Sequence, residues 1–496
     1  MLIFVPLVSG LLMLFPGRWP RRALLAITAL AHTALAIWLL INMTNDERPV
    51  ALFGLLQPDA LGVVFLLLAS TLFLAAAVYS IGYLKNEEKG HIKRDIQKGD
   101  FFTNAPETRF LSCLCFFLSA MTLVTLTPNL GALWVGIELT TLASAPLIYF
   151  HRHQSSMEAT WKYLMICSIG IALALLGNIL MSVAIHQPAA ASHESMDQLA
   201  HFIQRATELQ ESDRLPWMKA AFIFLLIGYG TKMGLAPMHT WLPDAHSQAP
   251  SMVSGLLSGA LLNCALLGIL RCHQIMMAAG LGSFSGGLLI FFGLLSMVIA
   301  AIFIVGQGHY KRLLAYSSIE HMGILALAFG IGGSAVFGGL LHATCHSLTK
   351  CMLFLVAGNI LTKYHTLSSY DVRGLVHTMP LSSALWTAGF LAVVGSPPFG
   401  LFISEFAILK GIFAAQKFFV AFIYLSSLAI IFVGMSVPVL RMIQGTPPHD
   451  VAENGRESLC SIVPPFVLGL MVFCLGLAVP DWMISLFNRA SMLLGA

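Results

Sequence analysis

The chain has 496 residues, of which 57% are hydrophobic and 10% charged, with a formal net charge of +4. An ordinary soluble domain carries roughly a quarter charged residues, so a water-soluble fold is excluded. Neither the small net charge nor any basic run interleaved with aromatics supports a nucleic-acid partner. The remaining class is an all-α polytopic membrane protein, because a segment crossing lipid must satisfy its backbone polar groups internally.

Apolar runs near the twenty residues that a bilayer core of about 30 Å demands recur along nearly the whole sequence. They place spans near 1–15, 23–43, 60–84, 108–126, 129–150, 159–184, 218–244, 250–272, 282–305, 314–332, 335–362, 381–416, 418–440 and 462–480, about fourteen in all. The first, MLIFVPLVSGLLMLF, lacks the leading basic residues and the cleavage site of a signal peptide and reads as a retained span. With the first residue outside, about sixteen Lys/Arg fall on the inner side against about seven outside. The inner set includes Arg18, Arg21, Arg22, Lys85, Lys89, Lys93, Arg94, Lys311 and Arg312. The expectation is a multi-pass protein of the inner membrane with both termini periplasmic.

Two spans are interrupted, the seventh at GYGTKMGLAPMHTWLPD and the twelfth at VVGSPPFGLFISEF. Pro237, and again Pro397 and Pro398, remove amide donors and free carbonyls, which lipid tolerates only where protein or a hydrated cavity receives them. Five spans separate the two breaks, so the broken helices run in opposite directions, the pattern of an inverted repeat. The expected organisation is an N-terminal three-helix segment (1–107), a first five-helix repeat of spans 4–8 (108–273), an inverted second repeat of spans 9–13 (274–441) and a C-terminal helix (442–496).

A charged side chain at mid-helix costs at least about 2.5–3.5 kcal/mol on insertion scales, so those present need a partner or a wet path. Glu138 is flanked by apolar residues in LGALWVGIELTTLASAPL, and Lys232 sits just before the first break. A buried lysine shifts its pKa readily. A Glu138–Lys232 pair would act as a switch that holds or releases the lysine's proton, or as a static pair fastening two helices. His342, His346 and Lys350 are spaced i, i+4, i+8 along one helix face over roughly 12 Å of rise, a wire-like arrangement. Glu405 follows the second break as Lys232 precedes the first. Lys162, His239, His246, Glu320 and Lys410 are further candidates for the path. Among these, His239 and His246, with Asp244, and Glu320, with Lys311, Arg312 and His321, are expected near the cytoplasmic boundary, where capping or anchoring explains them equally well. Lys410 is expected to snorkel and His32 to be a satisfied packing residue.

The nine cysteines are scattered through apolar runs without a CxxC, and no third ligand accompanies His342 and His346. No metal site and no cofactor are therefore expected in this chain.

The strings TKMGLAPMHTWLPDAHSQAP, KRLLAYSSIEHMG and LLHATCHSLTKCMLFLVAGNI resemble signatures of the antiporter-like membrane subunits shared by respiratory complex I, Mrp-type sodium/proton antiporters and membrane-bound group 4 [NiFe] hydrogenases. SGALLNCALLGILR, LLHATCHSLTK and the SEF around Glu405 are most similar to the hydrogenase-4 component F branch, as in formate hydrogenlyase-type complexes. The resemblance implies that Glu138 and Lys232 form an essential first pair. It places His342, His346 and Lys350 on a central hydrated axis and Glu405 at its end. It also implies partner subunits, membrane and redox, in a hetero-oligomeric complex that couples electron transfer to proton pumping. Many relatives carry a lysine or histidine where this chain has Asn263, which cannot hold a proton, so the link from Lys232 to the eleventh span is expected to run through water. The long lateral helix of the largest complex I relative is not seen here. The rival readings are sodium/proton exchange, which calls for clustered hard oxygen ligands, and a docking subunit that conducts nothing.

Overall fold

The computed structural model describes residues 1–15, 21–44, 50, 54–87, 93–94, 101–185, 199–209, 213–448, 451 and 457–495; Arg18 and Lys89 of the inner basic set lie outside them. The helices in chain order are α1 (Phe4–Leu14), α2 (Arg21–Thr44), α3 (Ala60–Glu87), α4 (Glu107–Leu126), α5 (Leu130–Ile148), α6 (Gln154–Ile185) and α7 (Leu199–Thr207). They continue with α8 (Leu215–Met233), α9 (Trp241–Gln248), α10 (Ser251–Leu256), α11 (Leu262–Ala278), α12 (Gly282–Ile304), α13 (Tyr310–Ile331) and α14 (Ser334–Tyr364). The last are α15 (Leu375–Thr378), α16 (Pro380–Val393), α17 (Gly400–Ala414), α18 (Phe418–Ile443), α19 (Leu459–Leu477) and α20 (Asp481–Met492). The one sheet among the described residues pairs β1 (Lys93–Arg94) with β2 (Phe101–Phe102).

The protein is a polytopic helical membrane protein. Eleven described helical segments are long and apolar enough to cross a membrane, α10 and α11 counting as one. The expected figure of about fourteen is larger because it includes the short α1 and the two interrupted spans, none of which is one helix both long and apolar enough. Hydropathy also did not foresee the short α7, α15 and α20, which pack amphipathic or capping segments rather than span.

Segments Ser251–Ala278 and Ser334–Tyr364 are wholly wrapped by other helices, whereas only about a third or less of α2, α6, α18 and α19 is buried. The order follows chemistry: α14 carries two histidines, two lysines and several hydroxyls, which lipid excludes, while α6 turns Trp161, Met165, Ile169, Ile179 and Val183 outward. Helices in lipid associate through close packing rather than apolar burial. Accordingly α12 and α13 meet glycine to glycine: a Cβ added at Gly286 would stand 2.7 Å from the Gly330 carbonyl oxygen, and one at Gly293 2.7 Å from that of Gly323.

Both broken spans are present, and they are built alike. α8 ends one residue before Gly234 (φ +82°), the Leu235 N–H reaches back to the Gly230 carbonyl at 2.9 Å, and Pro237 follows. α16 ends shortly before Gly395 (φ +66°), the Ser396 N–H reaches back to the Leu391 carbonyl at 2.9 Å, and Pro398 follows. A glycine tolerates the left-handed turn at no steric cost. The first break's exposed groups go to protein: Trp241 Nε1 donates to the Thr231 carbonyl at 2.8 Å, and the Ala236 N–H donates to Ser296 Oγ at 2.9 Å. A third irregularity, a π-helical turn at Leu257–Leu261, interrupts the eighth span and has no sequence signal.

His32 is fully buried between Thr122 Oγ1 (2.9 Å) and Ser70 Oγ (3.0 Å), a satisfied packing residue. All nine cysteines are free.

Candidate functional site

At the end of α8, the completely buried Lys232 donates from Nζ to Thr141 Oγ1 at 2.7 Å and to the Tyr163 hydroxyl at 2.6 Å. Thr141 Oγ1 in turn donates to Glu138 Oε2 at 3.3 Å. The expected direct Glu138–Lys232 pair is therefore corrected: one threonine hydroxyl stands between them, because the α5 residues i and i+3 share a face and the shorter side chain reaches the lysine first. Tyr163 extends the group, its hydroxyl 2.6 Å from Ser144 Oγ and its ring under the ammonium, 4.5 Å from Nζ to centroid. Glu138 itself is partly buried, on a helix face that exposes Val135, Leu139 and Leu142.

Beyond Lys232, Cys264 lies within electrostatic reach of the lysine. Its neighbour Asn263 donates from Nδ2 to the Gly259 carbonyl inside the π-turn (2.8 Å) and to Ser347 Oγ on α14 (2.7 Å). A side-chain contact thus links α11 to α14 directly, while no hydrogen bond among the described residues joins Lys232 to Asn263. Asn263 Oδ1 is buried without a protein partner.

On α14, Lys350 donates to the Leu314 carbonyl at 2.8 Å and to the Ser317 hydroxyl, both on α13. Glu320 lies within electrostatic reach of Lys350 and of Glu405. Of the residues expected near the cytoplasmic boundary, Glu320 and His321 lie midway along α13 and Lys311 in its first turn, and these three and His246 are buried within the protein. Glu320 is 2% exposed halfway along α13, Lys311 is buried with Nζ on the Ala249 carbonyl (3.0 Å), and His246 is buried against the Phe354 ring with both nitrogens unpartnered. The break lets α9 turn inward, which carries His246 into the protein. His239, in the turn before α9, is also buried and leaves Nδ1 unpartnered.

His342 and His346 do share a face, but their stacked rings are 6.5 Å apart. His321 from α13 closes the interval, with centroids 5.1 Å from His342 and 4.8 Å from His346 and a 3.0 Å contact from Nδ1 to His342 Nε2. His342 Nδ1 lies 3.0 Å from Ser404 Oγ, whose own proton goes to the Leu401 carbonyl at 2.8 Å. Ser404 therefore accepts from His342 Nδ1–H, His342 Nε2 accepts from His321 Nδ1–H, and His321 Nε2 keeps a lone pair. Glu405, 7% exposed, completes the file; its Oε2 occupies the space beside Gly395, 2.0 Å from where a Cβ would be, and its Oε1 has no protein partner.

Two candidates lie off this file. Lys162 is 46% exposed and pairs with Glu158 (2.8 Å) and Asp244 (3.0 Å), and Asp244 also holds Arg312 at 2.5 Å, so these residues strap α6, α9 and α13 together at the surface. Lys410 is exposed on the outer face of α17. As to metals, the group that folding brings together is not the His342–His346 pair of the sequence: donor atoms of His321, His342 and Glu405 lie within 4.8 Å of one another, all buried.

The family described as "NADH:quinone oxidoreductase/Mrp antiporter, TM" matches residues 127–431, which include every residue of the file. Over 442 residues the chain is 36% identical to the hydrogenase-4 component F homolog of Methylacidiphilum infernorum (isolate V4), covering 88% of each. Its fold is similar to a chain of the membrane-bound sulfane sulfur reductase, an archaeal respiratory membrane complex (TM-score 0.84, 21% identity, 99% of this chain and 96% of that one). It is similar too to a chain of the Mrp complex from Dietzia sp. DQ12-45-1b (TM-score 0.82, 16% identity, 99% and 96%). With its interrupted spans and buried charges set beside these matches, the chain belongs to the NADH:quinone oxidoreductase/Mrp antiporter family as an antiporter-like membrane subunit of the complex I and hydrogenase-4 type.

Proposed function

We propose that this chain translocates protons as one subunit of a hetero-oligomeric respiratory or hydrogenase complex of the inner membrane, and that redox cofactors reside on its partners. The observation that carries the reading is the largely buried set Glu138–Thr141–Lys232, Asn263–Ser347, Lys350–Ser317 and His321–His342–Ser404, flanked by Glu320, His346 and Glu405; apart from the Lys350–Ser317 contact, its hydrogen bonds are 2.7–3.3 Å long. So many titratable groups in a lipid-crossing fold are costly unless they exchange charge.

Lys232 keeps its proton while the Glu138 charge, relayed through the Thr141 hydroxyl, stabilises the ammonium; withdrawing or neutralising Glu138 favours release. Asn263 holds no proton but orients the connection to α14. Beyond it, Lys350 and Glu320 exchange charge, and a proton passes within the His321–His342 pair, with the Glu405 carboxylate its acceptor within 4.8 Å. We assign 108–273 and 274–441 to two oppositely oriented halves, after a 1–107 segment and before 442–496. The matching glycine, back-bonded amide and proline of the two breaks support this division. The Lys/Arg distribution supports termini on the periplasmic side.

The test is proton uptake by membrane vesicles that contain the assembled complex. Glu138→Gln and Lys232→Ala are expected to abolish uptake while assembly is normal. If both variants pump like the parent, the chain is a docking subunit. Replacing sodium by choline is expected to change nothing; a requirement for sodium would favour the exchange suggested by the Mrp relatives.

A further inference from the structure

Three donors of one kind of ligand set converge where α13, α14 and α17 meet. His321 Nδ1 and His342 Nε2 are 3.0 Å apart, and two imidazole nitrogens on a tetrahedral zinc, each at roughly 2.0–2.1 Å, stand about 3.3 Å from one another. Glu405 adds a carboxylate within the same 4.8 Å sphere. Two histidines and one glutamate form a common zinc donor set that leaves a fourth position open.

The surroundings are those of a built site. Ser404 takes the Nδ1–H of His342, which turns its Nε2 lone pair toward the other donors, as ligating histidines require. The Val393 carbonyl, at the end of α16, lies beside the His321 ring. It is placed to accept an Nε2–H. Glu405 Oε1 and His321 Nε2 are buried and have no protein partner. Gly395 leaves room for the carboxylate.

We propose that His321, His342 and Glu405 form a binding site for a divalent transition cation, with Zn²⁺ as its best-fitting member, and that the bound ion stops proton transfer. The cation takes the place of the hydrogen now shared between the two imidazoles. His321 keeps one hydrogen by moving it from Nδ1 to Nε2, facing Val393, and any proton on Glu405 is released to solvent. With both lone pairs on the metal, the two rings exchange no proton. The block rests on the proton-translocating reading above; the binding site does not.

The test uses the purified full chain, stripped with a chelator and titrated with zinc chloride, with X-ray absorption at the zinc edge. The expected result is one zinc per chain in a shell of nitrogen and oxygen, with affinity at least about tenfold weaker in His321→Asn and in Glu405→Gln and unchanged in Lys232→Ala. Ser404→Ala, which keeps every ligand and serves if the first two variants fold poorly, is expected to weaken binding as well. No retained zinc, a sulfur shell from the cysteines, or equal binding by His321→Asn and Glu405→Gln overturns the site. Zinc bound with the expected shell while the vesicles still take up protons at full rate leaves the site standing and defeats the relay.

Discussion

Replacing Gly395 by alanine probes the second break and the end of the proton file at once. A Cβ there would lie 2.0 Å from Glu405 Oε2, 2.8 Å from its Cδ and 3.1 Å from Oε1, on a backbone at φ +66°. Non-bonded carbon contacts settle near 3.5 Å, so the carboxylate must retreat by more than about 1 Å. The left-handed backbone adds roughly 1–2 kcal/mol for a residue with a Cβ. A loss of about 2 kcal/mol is tolerable for assembly in most proteins of ordinary stability, whereas a displacement of about 1 Å at a reacting group costs on the order of 100-fold in rate. Proton uptake by vesicles is therefore expected to fall about 100-fold while the complex is recovered in normal yield, and Glu405→Gln is expected to match it. Full-rate uptake by Gly395→Ala would show that the position of Glu405 does not matter and would refute the assignment of Glu405 to the file.

Two further outcomes are expected. Thr141→Val keeps the shape of the side chain but removes the hydroxyl between Glu138 and Lys232, so it should destabilise the solubilised chain by about 1–3 kcal/mol and uncouple the two residues, losing uptake as Glu138→Gln does; full-rate uptake by Thr141→Val would contradict the hydroxyl bridge. Arg271, 4% exposed at its side chain, holds Asp59 at 2.5 and 2.6 Å and ties α11 to the start of α3. Arg271→Ala is expected to cost about 3 kcal/mol, seen as a lower melting temperature with zinc binding unchanged, and an unaltered melting temperature would show the pair to be dispensable.

What the sequence determined on its own is what short stretches of chain decide by themselves. Composition and run length dictate a helical membrane protein. Pro237 and Pro398, each three residues after a glycine, dictate where helices must break, because a missing amide and a left-handed turn are local facts. The scarcity of charge singles out Glu138, Lys232, His342, His346, Lys350 and Glu405, since each is costly in lipid wherever its neighbours lie. Only the tertiary structure decided which of these touch. It set Thr141 between Glu138 and Lys232, buried His246 and Glu320 within the protein, and moved Lys162 out to a surface ion pair. It also brought His321 from α13 into the gap between two histidines of α14. Such distances follow from how close two helices approach and how each is rotated, which depends on small residues such as Gly286 and Gly330 meeting across an interface and on a π-turn at 257–261 that shifts the face of everything after it. Hydropathy along one chain carries no record of either.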